Sequence, residues 1–444
     1  MYKNLLALSL LTTSGMIQGT AEENAYPYNT YYCDACSCNS CCCDDYGCDT
    51  CSCSPCDCET CCTPKPQESI DCECYTPAFY DLQCDCGFFI DGQFLYWYAR
   101  ETNLPYAARL ILKESNAVNI DKVSLGYVKK LEHFDTKWEP GLRVGIGVNS
   151  KCDGWDYYLN WTYFHNSEKQ SRKLPLDVTN PTLENEIFLN PWLNSTNFLF
   201  FSLGTPTSRT FSLFNTIAAK WETRFNQIDL EIGRKYWLSR CFTLRPYAGI
   251  RGARTKTVFS EKGTRGPLLD EIFGGVSKFF SQSTDRFKNR LWGAGFFLGL
   301  QPNWYFCRNF ILYANLDGAL LWGEFQSKKK ESLFSSGINN STNTIFVDLR
   351  HTSKDSFFTM SALIDLGIGL RWEKNWCCDR YRTSLDLGWE HHIWVDHGYR
   401  FKTFGTQLQD TTLSNEFAVF PENYAYDVSN LIYGGLVVRL RFDF

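Results

Sequence analysis

Apolar residues occupy every second position along the last segment of the chain. From residue 436 onward these positions are Leu436, Val438, Leu440, Phe442 and Phe444, and three of the four residues between them are charged. A period of two residues predicts a β-strand whose two faces differ in polarity. In a soluble sandwich the polar face would meet water outside. In a membrane barrel it would face a lumen, and the apolar face would meet lipid.

The same alternation returns at intervals from residue 87 onward, for example between Leu142 and Val148. Ten such segments reach the length of about 9–11 residues that a tilted strand needs to span a bilayer. They are predicted near 89–100, 140–149, 155–165, 222–237, 242–254, 290–302, 310–322, 359–372, 381–394 and 430–444. The regions 106–130 and 186–203 are candidates for two more. The pattern predicts an all-β protein, a transmembrane antiparallel up-and-down β-barrel of ten or more strands.

The connections between these segments alternate in length. Short turns are expected at 150–154, 239–241, 307–309 and 375–379, and long polar connections at roughly 101–138, 167–216, 256–288, 325–354 and 399–427. Bacterial outer-membrane barrels have short periplasmic turns and long external loops. We therefore expect both chain ends and the short turns in the periplasm, and the long loops outside.

Charges of both signs lie on the predicted polar faces, beside small residues. Such charges suit a water-filled lumen and would be costly in a dry core. We expect the following side chains to line the lumen: Arg143, Asp229, Glu231, Arg245, Arg251, Asp317, Asp365, Arg371, Asp386, Arg439 and Arg441. Rings of charge tune the selectivity of pores, so these are candidate pore residues.

The first residues have the features of a secretory signal peptide. Lys3 supplies a positive charge, residues 5–11 form a short apolar core, and residues 19–21 are small enough for cleavage. No later stretch has eighteen consecutive apolar residues, so the sequence predicts no transmembrane helix. We divide the chain into a signal peptide at 1–21, a cysteine-rich periplasmic segment at 22–86 and the barrel at 87–444. The middle segment is acidic, with 13 Asp or Glu against one Lys.

Cysteine is concentrated in the acidic segment, which holds seventeen of the 22. These are Cys33, Cys36, Cys38, Cys41, Cys42, Cys43, Cys48, Cys51, Cys53, Cys56, Cys58, Cys61, Cys62, Cys72, Cys74, Cys84 and Cys86. The other five lie in or beside the predicted short turns: Cys152, Cys241, Cys307, Cys377 and Cys378. If the short turns are periplasmic, all 22 thiols share one oxidising compartment. Each is then a candidate for a disulfide bond.

The spacing of the seventeen cysteines leaves two interpretations open. The pattern of residues 33–41 recurs fifteen residues later at 48–56, and its CxxC and CxC spacings suit a metal-thiolate cluster. An oxidising periplasm, however, converts unligated thiols to disulfides, and the turn cysteines lack such spacing. We favour disulfides. The run Cys41–Cys43 favours partners elsewhere, since neighbouring Cα atoms are closer than a disulfide usually allows.

Sequence motifs give no reason to expect an enzyme, a cofactor or a nucleic-acid partner. HExxH, GxSxG, Walker-type and GxGxxG motifs are absent, as is any basic tract typical of nucleic-acid binding. His391, His392 and His397 lie near Asp396. We expect them to be interfacial or loop histidines rather than a metal site.

The chain resembles a known family in several features together. Its terminal Phe, with apolar residues at alternate positions before it, resembles the signal read by the outer-membrane assembly machinery. With the signal peptide, the turn cysteines and the segment 138–147, this resembles the major outer membrane proteins of chlamydia-related bacteria and the similar Legionella-type proteins, over about residues 87–444. The resemblance implies a porin that also stiffens the envelope through disulfide cross-links. Residues 33–86 depart from that pattern and are closer to cysteine-rich envelope proteins.

The expected function is passive diffusion of small hydrophilic solutes through the lumen. Expected partners are outer-membrane lipid, the assembly machinery and, through disulfides, other cysteine-rich envelope proteins; a homo-oligomer is left open. The alternative is a non-conducting structural or adhesive barrel, because barrels of about eight strands are filled by their own side chains.

Overall fold

The computed structural model describes the chain from Gly87 to Phe444, with gaps. The described residues are 87–112, 128–150, 154–174, 185–192, 196–202, 205–209, 213–239, 241–270, 277–307, 309–338, 344–377, 380–409 and 417–444. The predicted signal peptide and cysteine-rich segment, residues 1–86, lie outside them. The strands of the described part are β1 Phe88–Glu101, β2 Ala107–Leu112, β3 Val128–Glu132, β4 Trp138–Asn149, β5 Trp155–Lys173, β6 Asn185–Leu189, β7 Thr196–Ser202, β8 Thr205–Arg209, β9 Leu213–Phe214, β10 Thr216–Arg234, β11 Tyr236–Ser239, β12 Phe242–Asp270, β13 Ser277–Cys307, β14 Phe310–Ile338, β15 Thr344–Trp376, β16 Tyr381–Gln409 and β17 Phe417–Asp443.

Ten of these strands close into one antiparallel barrel. Around the wall they are β1, β4, β5, β10, β12, β13, β14, β15, β16 and β17. The last strand pairs back onto the first, from Phe89 opposite Asp443 to Glu101 opposite Leu431. Each wall strand pairs with the next wall strand in sequence, which is an up-and-down topology. The predicted antiparallel barrel is confirmed, at the lower predicted count of ten strands.

The outer face of the wall is apolar over a continuous band. Along β1 burial alternates residue by residue, with Ile90 and Phe94 exposed on the outside and Asp91 and Gln93 buried inside. The five residues of the predicted assembly signal, from Leu436 to Phe444, all lie on the outer face and are 38–56% exposed. An apolar surface of this extent is stabilised by lipid. No helix in the described residues has the length and hydropathy needed to cross a bilayer.

Exposed aromatic side chains mark both edges of this apolar band. Near the short turns they include Trp304, Phe306, Trp376 and Tyr381, and near the opposite edge Trp161, Trp292, Trp322 and Trp389. Aromatic rings are enriched at the two membrane–water interfaces. We call these two rows the aromatic belts.

Both ends of the barrel sequence lie at the edge that carries the short turns. The backbone N–H of Asn149 donates to the carbonyl oxygen of Gly87 at 2.8 Å, and that of Phe444 donates to Phe88 at 2.9 Å. Gly87 has a φ of +61°, and an added Cβ would lie 2.4 Å from the Asn149 carbonyl oxygen. Only glycine fits this entry point without strain. We call this edge the short-turn end, and the opposite edge, where residues 102–112 and 185–192 lie, the plug end.

Within the described residues, neither 106–130 nor 186–203 supplies a further antiparallel wall strand. In the described residues, β2, β3, β6 and β9 instead form a separate four-stranded sheet. Ile111 and Phe188 are almost fully buried, whereas spanning strands would expose such residues to lipid. The sequence left these two candidates open because apolar alternation does not reveal whether a strand packs against lipid or against the barrel interior.

Three of the predicted long loops are mostly strand. The wall strands run past the apolar band, so that only 271–276, 339–343 and 410–416 separate β12 from β13, β14 from β15 and β16 from β17. The prediction of long connections at 256–288, 325–354 and 399–427 is therefore wrong for most of their length. Beyond the bilayer the outer face meets water, so these strands lose the apolar alternation that identifies a spanning segment.

Candidate functional site

Inward-facing side chains change character along the barrel axis. On β1 they are Asp91 and Gln93 near the short-turn end, then Leu95, Trp97 and Ala99. Because neighbouring strands are antiparallel and in register, the same levels recur around the wall. The lumen is therefore polar near the short turns and apolar in the middle.

A cavity of about 260 Å³ occupies the polar half of the lumen. It reaches the short turns, since Ser150 and Gly154 line it. All eleven residues predicted to line the lumen lie around this cavity: Arg143, Asp229, Glu231, Arg245, Arg251, Asp317, Asp365, Arg371, Asp386, Arg439 and Arg441. The complete lining has nine carboxylates against eight Lys or Arg side chains, so its charge is nearly balanced.

Arg251, on β12, is the centre of the charge network. Its Nε and Nη2 donate to the two carboxylate oxygens of Asp229 at 2.9 and 3.1 Å, and its Nη1 donates to Asp365 at 2.6 Å. Asp317 lies 3.2 Å from the same Nη1, and the guanidinium lies over the ring of Phe297. One buried cation thus joins carboxylates from three other strands through charge-assisted hydrogen bonds.

A second cluster crosses the lumen and joins the first. Arg143, on β4, makes a two-pronged contact with Glu390, on β16, at 3.0 Å for each bond. The ring of His392 lies between the clusters, 2.8 Å from Asp365 and 3.2 Å from Glu390. The network therefore links strands that are not neighbours in the wall, and it holds the barrel cross-section in a fixed shape.

Further pairs continue the network towards the short-turn end. Arg371 donates to Asp386 at 2.9 Å, and Arg439 lies 3.7 Å from the same carboxylate. Arg245 donates its Nε to Asp156 at 2.8 Å. Buried charges are tolerated where they are paired in this way.

Five aromatic side chains close the lumen above the cavity; we call them the aromatic layer. They are Trp97, Phe164, Phe225, Trp394 and Tyr433, and none is more than 2% exposed. Their centroids form a chain, with Trp97 to Phe164 at 5.6 Å, Phe164 to Tyr433 at 5.7 Å, and Phe225 to Tyr433 at 5.0 Å and to Trp394 at 6.0 Å. Such contacts fill a cross-section with ring surface and exclude water.

Two segments between wall strands pack into the barrel interior beyond the aromatic layer; we call residues 102–112 and 185–192 the plug. Trp192 packs on Phe259 and Phe287, and its indole N–H donates to the carbonyl oxygen of Pro105 at 2.6 Å. Lys329 donates to the carbonyl oxygen of Trp192 at 2.9 Å. A few polar contacts to the wall thus fix a largely apolar plug.

Three carboxylates face the plug in one row across the wall. Glu261 lies opposite Asp285, and Asp285 opposite Glu331, in the registers of β12, β13 and β14. Asn190 of the plug donates to Asp285 at 2.7 Å, and the fully buried Lys329 lies 3.0 Å from Glu331. Neither carboxylate oxygen of Glu261 has a hydrogen-bond partner in the described residues.

On the outer face, Arg286 follows Asp285 in sequence and lies opposite Lys330, and both side chains are exposed. Because the outer face is charged here rather than apolar, this row of carboxylates lies beyond the membrane-spanning segments. Burial, and secondarily the charge of Glu331, raises the pKa of Asp285 to about 7. Burial and the charge of Asp285 raise the pKa of Glu261 well above its usual value. The plug is therefore held against a wall in which Asp285 and Glu261 favour the protonated state.

The structure adds residues that the sequence argument missed. His392 was expected at an interface or in a loop, but it is buried in the lumen and hydrogen-bonded to Asp365. His397 is also buried, 2.8 Å from the hydroxyl of Thr255. His392 is an even number of residues from Asp386 and Glu390 on the same strand. Since side chains alternate between the two faces of a strand, this spacing identifies His392 as inward-facing.

Few of the candidate cysteines fall within the described side chains. Cys241 is disulfide-bonded, and Cys377 is an exposed free thiol at the short-turn end. Cys152, Cys378 and the seventeen cysteines of the N-terminal segment lie outside the described residues, as does the side chain of Cys307. Within the described part of the chain, no group of three or more His, Cys, Asp or Glu is arranged to hold a metal ion.

Comparison with known protein families gives one match. A family model described as the Legionella pneumophila major outer membrane protein precursor matches residues 85–428. That range covers nearly all of the barrel. No curated protein matches the chain at a significant level.

Several solved barrels share a weak structural likeness. The outer membrane protease OmpT from Escherichia coli is 10% identical with a TM-score of 0.31, covering 84% of this chain and 100% of its own. The P. putida toluene transporter TodX is 8% identical with a TM-score of 0.23, covering 81% and 90%. A Pseudomonas aeruginosa FadL homologue is 8% identical with a TM-score of 0.24, covering 80% and 89%. Scores of this size support no inference about activity.

Replacing Arg251 by Met should strongly destabilise the barrel. The change leaves three buried carboxylates without their shared cation, and breaking a buried ion pair typically costs about 3–5 kcal/mol. We expect a loss of this order in the free energy of unfolding, measured by urea titration in lipid vesicles. As a control, Arg224→Met removes an exposed cation from Glu222, which keeps Lys220 as a partner, and should cost less than about 1 kcal/mol. Equal losses in the two variants would contradict the central role of Arg251.

The plug should be more stable at acidic than at alkaline pH. The folded-state pKa of Asp285 is raised, so the native state binds more protons than the unfolded state between about pH 4 and 7. Stability is therefore fully present at low pH and falls as pH rises through about 7. We expect limited proteolysis of the plug to be faster at pH 8 than at pH 5.5, and Asp285→Asn to reduce this difference. A variant with the wild-type pH dependence would rule out this contribution.

Proposed function

Since the chain belongs to the family of the Legionella pneumophila major outer membrane protein precursor, we propose that it is a porin for small hydrophilic solutes whose described conformation is closed. The family and the closed barrel indicate the outer membrane as its location. The observation that carries the proposal is the cavity of about 260 Å³ lined by charges of both signs, which reaches the short turns. The proposal gives the barrel no enzymatic role.

The balanced charge of the cavity lining supports a pathway for polar solutes. A wall of paired carboxylates and guanidinium groups offers hydrogen-bond donors and acceptors all along the polar half. With nine carboxylates against eight cations, no single sign dominates the field. We expect weak selectivity between anions and cations.

The orientation in the membrane follows from the lengths of the connections. We assign the short-turn end, with Gly87 and Phe444, to the periplasm and the plug end to the exterior, as in bacterial outer-membrane barrels. Solutes from outside then meet the plug first, next the aromatic layer and finally the charged cavity.

Opening requires the plug and the aromatic layer to move. The plug segment at 185–192 contacts the wall through a few hydrogen bonds, among them Asn190 to Asp285 and Lys329 to the Trp192 carbonyl. Segments held by few contacts belong to the low-stability part of a structure and open locally. In this proposal such local opening is the gate.

The aromatic layer specifically favours a second candidate function. Trp97, Phe164 and Tyr433 fill the cross-section with almost no exposed surface. A barrel filled by its own side chains serves as a structural or adhesive element without conduction. Measurement of conductance separates the two candidates.

Refolded full-length protein in planar bilayers should show discrete but infrequent channel openings. The double change Trp97→Ala and Trp394→Ala removes two rings from the aromatic layer, and we expect it to increase open probability or unitary conductance several-fold. The matched control is Trp161→Ala with Trp389→Ala, which removes two lipid-facing rings and leaves the lumen unchanged. Silence of both wild type and the Trp97/Trp394 variant at every voltage would eliminate the porin and leave the structural barrel.

Disulfide cross-linking of the envelope is the second part of the proposal. Cys377 supports it, being an exposed free thiol at the end that we assign to the oxidising periplasm. The chain has 22 cysteines, and although Cys241 is already in a disulfide, the others give ample capacity for links to other chains. In this arrangement the cysteine-rich segment and the short turns anchor the barrel covalently.

Non-reducing gels of isolated envelopes should show high-mass species that collapse to monomer with reductant. Cys377→Ser should weaken those species. A cysteine introduced at Ser171, exposed towards the plug end, should not restore them in the Cys377→Ser background. A monomer with and without reductant would exclude the cross-linking role.

A further inference from the structure

The outer face of the barrel carries a continuous group of cations just beyond the plug-end aromatic belt. Seven side chains on four neighbouring strands form this group, which we call the basic face: Lys256, Arg286, Lys288, Arg290, Lys328, Lys330 and Lys354. They share the outward parity of the lipid-facing residues below them, such as Phe296 and Leu320. The basic face therefore continues the lipid-facing surface and lies outside the lumen.

Strand register places these cations directly opposite one another. Lys288 lies opposite Lys328, which lies opposite Lys354, so three lysines form one row across β13, β14 and β15. The next row towards the plug end holds Arg286 opposite Lys330. Like charges directly opposite on one sheet face are destabilising. The fold thus accumulates positive charge here at a cost.

No carboxylate compensates this charge in the described residues. None of the seven cations lies within 4 Å of an Asp or Glu there. The outward-facing Glu324 is held by the Trp292 indole N–H at 3.3 Å and by Gln326 at 2.9 Å. The charge of Lys330, followed by burial and the charge of Lys354, lowers the pKa of Lys328.

A neighbouring strand shows the usual arrangement and provides a contrast. On β10, Glu222 lies 3.1 Å from both Lys220 and Arg224. Both cations there have a carboxylate partner within the protein. Among the described residues the basic face has no such carboxylate, and its lipid-facing position points to the membrane as the source of counter-ions.

The height of the basic face indicates the source of those counter-ions. Arg290 is two residues beyond Trp292 along β13, and Lys328 is six residues beyond Trp322 along β14. At about 3.3 Å per residue along a tilted strand, Arg290 lies a few ångströms above the belt and Lys328 somewhat more than 10 Å above it. Belt aromatics mark the headgroup level, so the cations lie at and above the headgroups.

We propose that the basic face binds the phosphate groups of anionic lipid headgroups in the leaflet at the plug end. Phosphates would lie between the rows of cations and relieve their mutual repulsion, while the acyl chains would cover the apolar wall below, around Trp292, Trp322 and Phe358. Lysines suit this role because each is a compact charge on a flexible stem. Binding therefore uses both the headgroup phosphate and the acyl chains of one lipid molecule, whereas free phosphate would make only the first of these contacts.

The test compares the full-length protein with the triple variant Lys288→Gln, Lys328→Gln and Lys354→Gln. Purified protein in nonionic detergent is titrated with diphosphoryl lipid A, monophosphoryl lipid A, phosphatidylcholine and inorganic phosphate, and binding is followed by native mass spectrometry and by melting temperature. Each basic residue near a charged surface contributes about fivefold to binding. We expect the triple variant to bind diphosphoryl lipid A at least about tenfold more weakly than the wild type.

A charge-matched control removes three lysines that have their own carboxylate partners, Lys130, Lys137 and Lys220. It should bind the lipid like the wild type. Removing the Lys288, Lys328 and Lys354 row should leave the melting temperature in lipid-free detergent unchanged or higher, because like charges are removed, and should abolish stabilisation by the lipid. The variant Lys288→Arg, Lys328→Arg and Lys354→Arg keeps the positive charge and should retain binding. Loss of binding in the Gln variant alone then reflects loss of charge rather than a folding defect.

Three results would overturn the proposal. One is equal weakening of lipid binding in the control and in the triple variant, which would indicate unspecific attraction. Another is binding of phosphatidylcholine as strong as that of diphosphoryl lipid A. The third is stabilisation by inorganic phosphate equal to that by the lipid, which would make the ligand a free anion.

Discussion

The structure depends on one constraint, that backbone N–H and C=O groups cannot remain unpaired in hydrocarbon. Pairing of the last strand with the first, from Phe89 opposite Asp443 onward, meets it by removing both sheet edges. Closure with only ten strands then forces every second residue into a narrow interior. What fills that interior and what covers the outer face both follow from this closure.

Inside the barrel, the side chains that fill the lumen differ with their height along the barrel axis. Near the short turns, guanidinium groups and carboxylates pair across the lumen, as Arg251 and Arg143 do. In the middle, the aromatic layer fills the cross-section mainly with ring surface, and the hydroxyl of Tyr433 is hydrogen-bonded to that of Thr223 at 2.9 Å. A small polar cavity below an apolar closure is the form expected of a gated passage, and equally of a barrel stiffened from within.

Beyond the bilayer the constraint on the outer face is released, and the strands continue into water. Their inner faces pack the plug and present the row of Glu261, Asp285 and Glu331, while their outer faces carry the basic face. One length of wall therefore holds acidic groups inside and cations outside, separated by the thickness of a single sheet. Asp285 and Glu261 respond to protons and the basic face to lipid phosphate, so the plug end is where the surroundings can act on the barrel.

The sequence by itself determined the architecture, because a period of two is a local property: it identified ten spanning strands, the inward parity of all eleven pore candidates and the outward parity from Leu436 to Phe444. Turn lengths likewise located both barrel ends at one edge. The tertiary structure alone decided which inward groups pair, because Arg143 and Glu390 meet across a lumen from strands far apart in sequence. It also decided that the segments around Ile111 and Phe188 enter the barrel rather than extend its wall. Alternation tells which face of a strand is apolar, but only closure of the barrel settles whether lipid, a neighbouring ring or a plug covers that face.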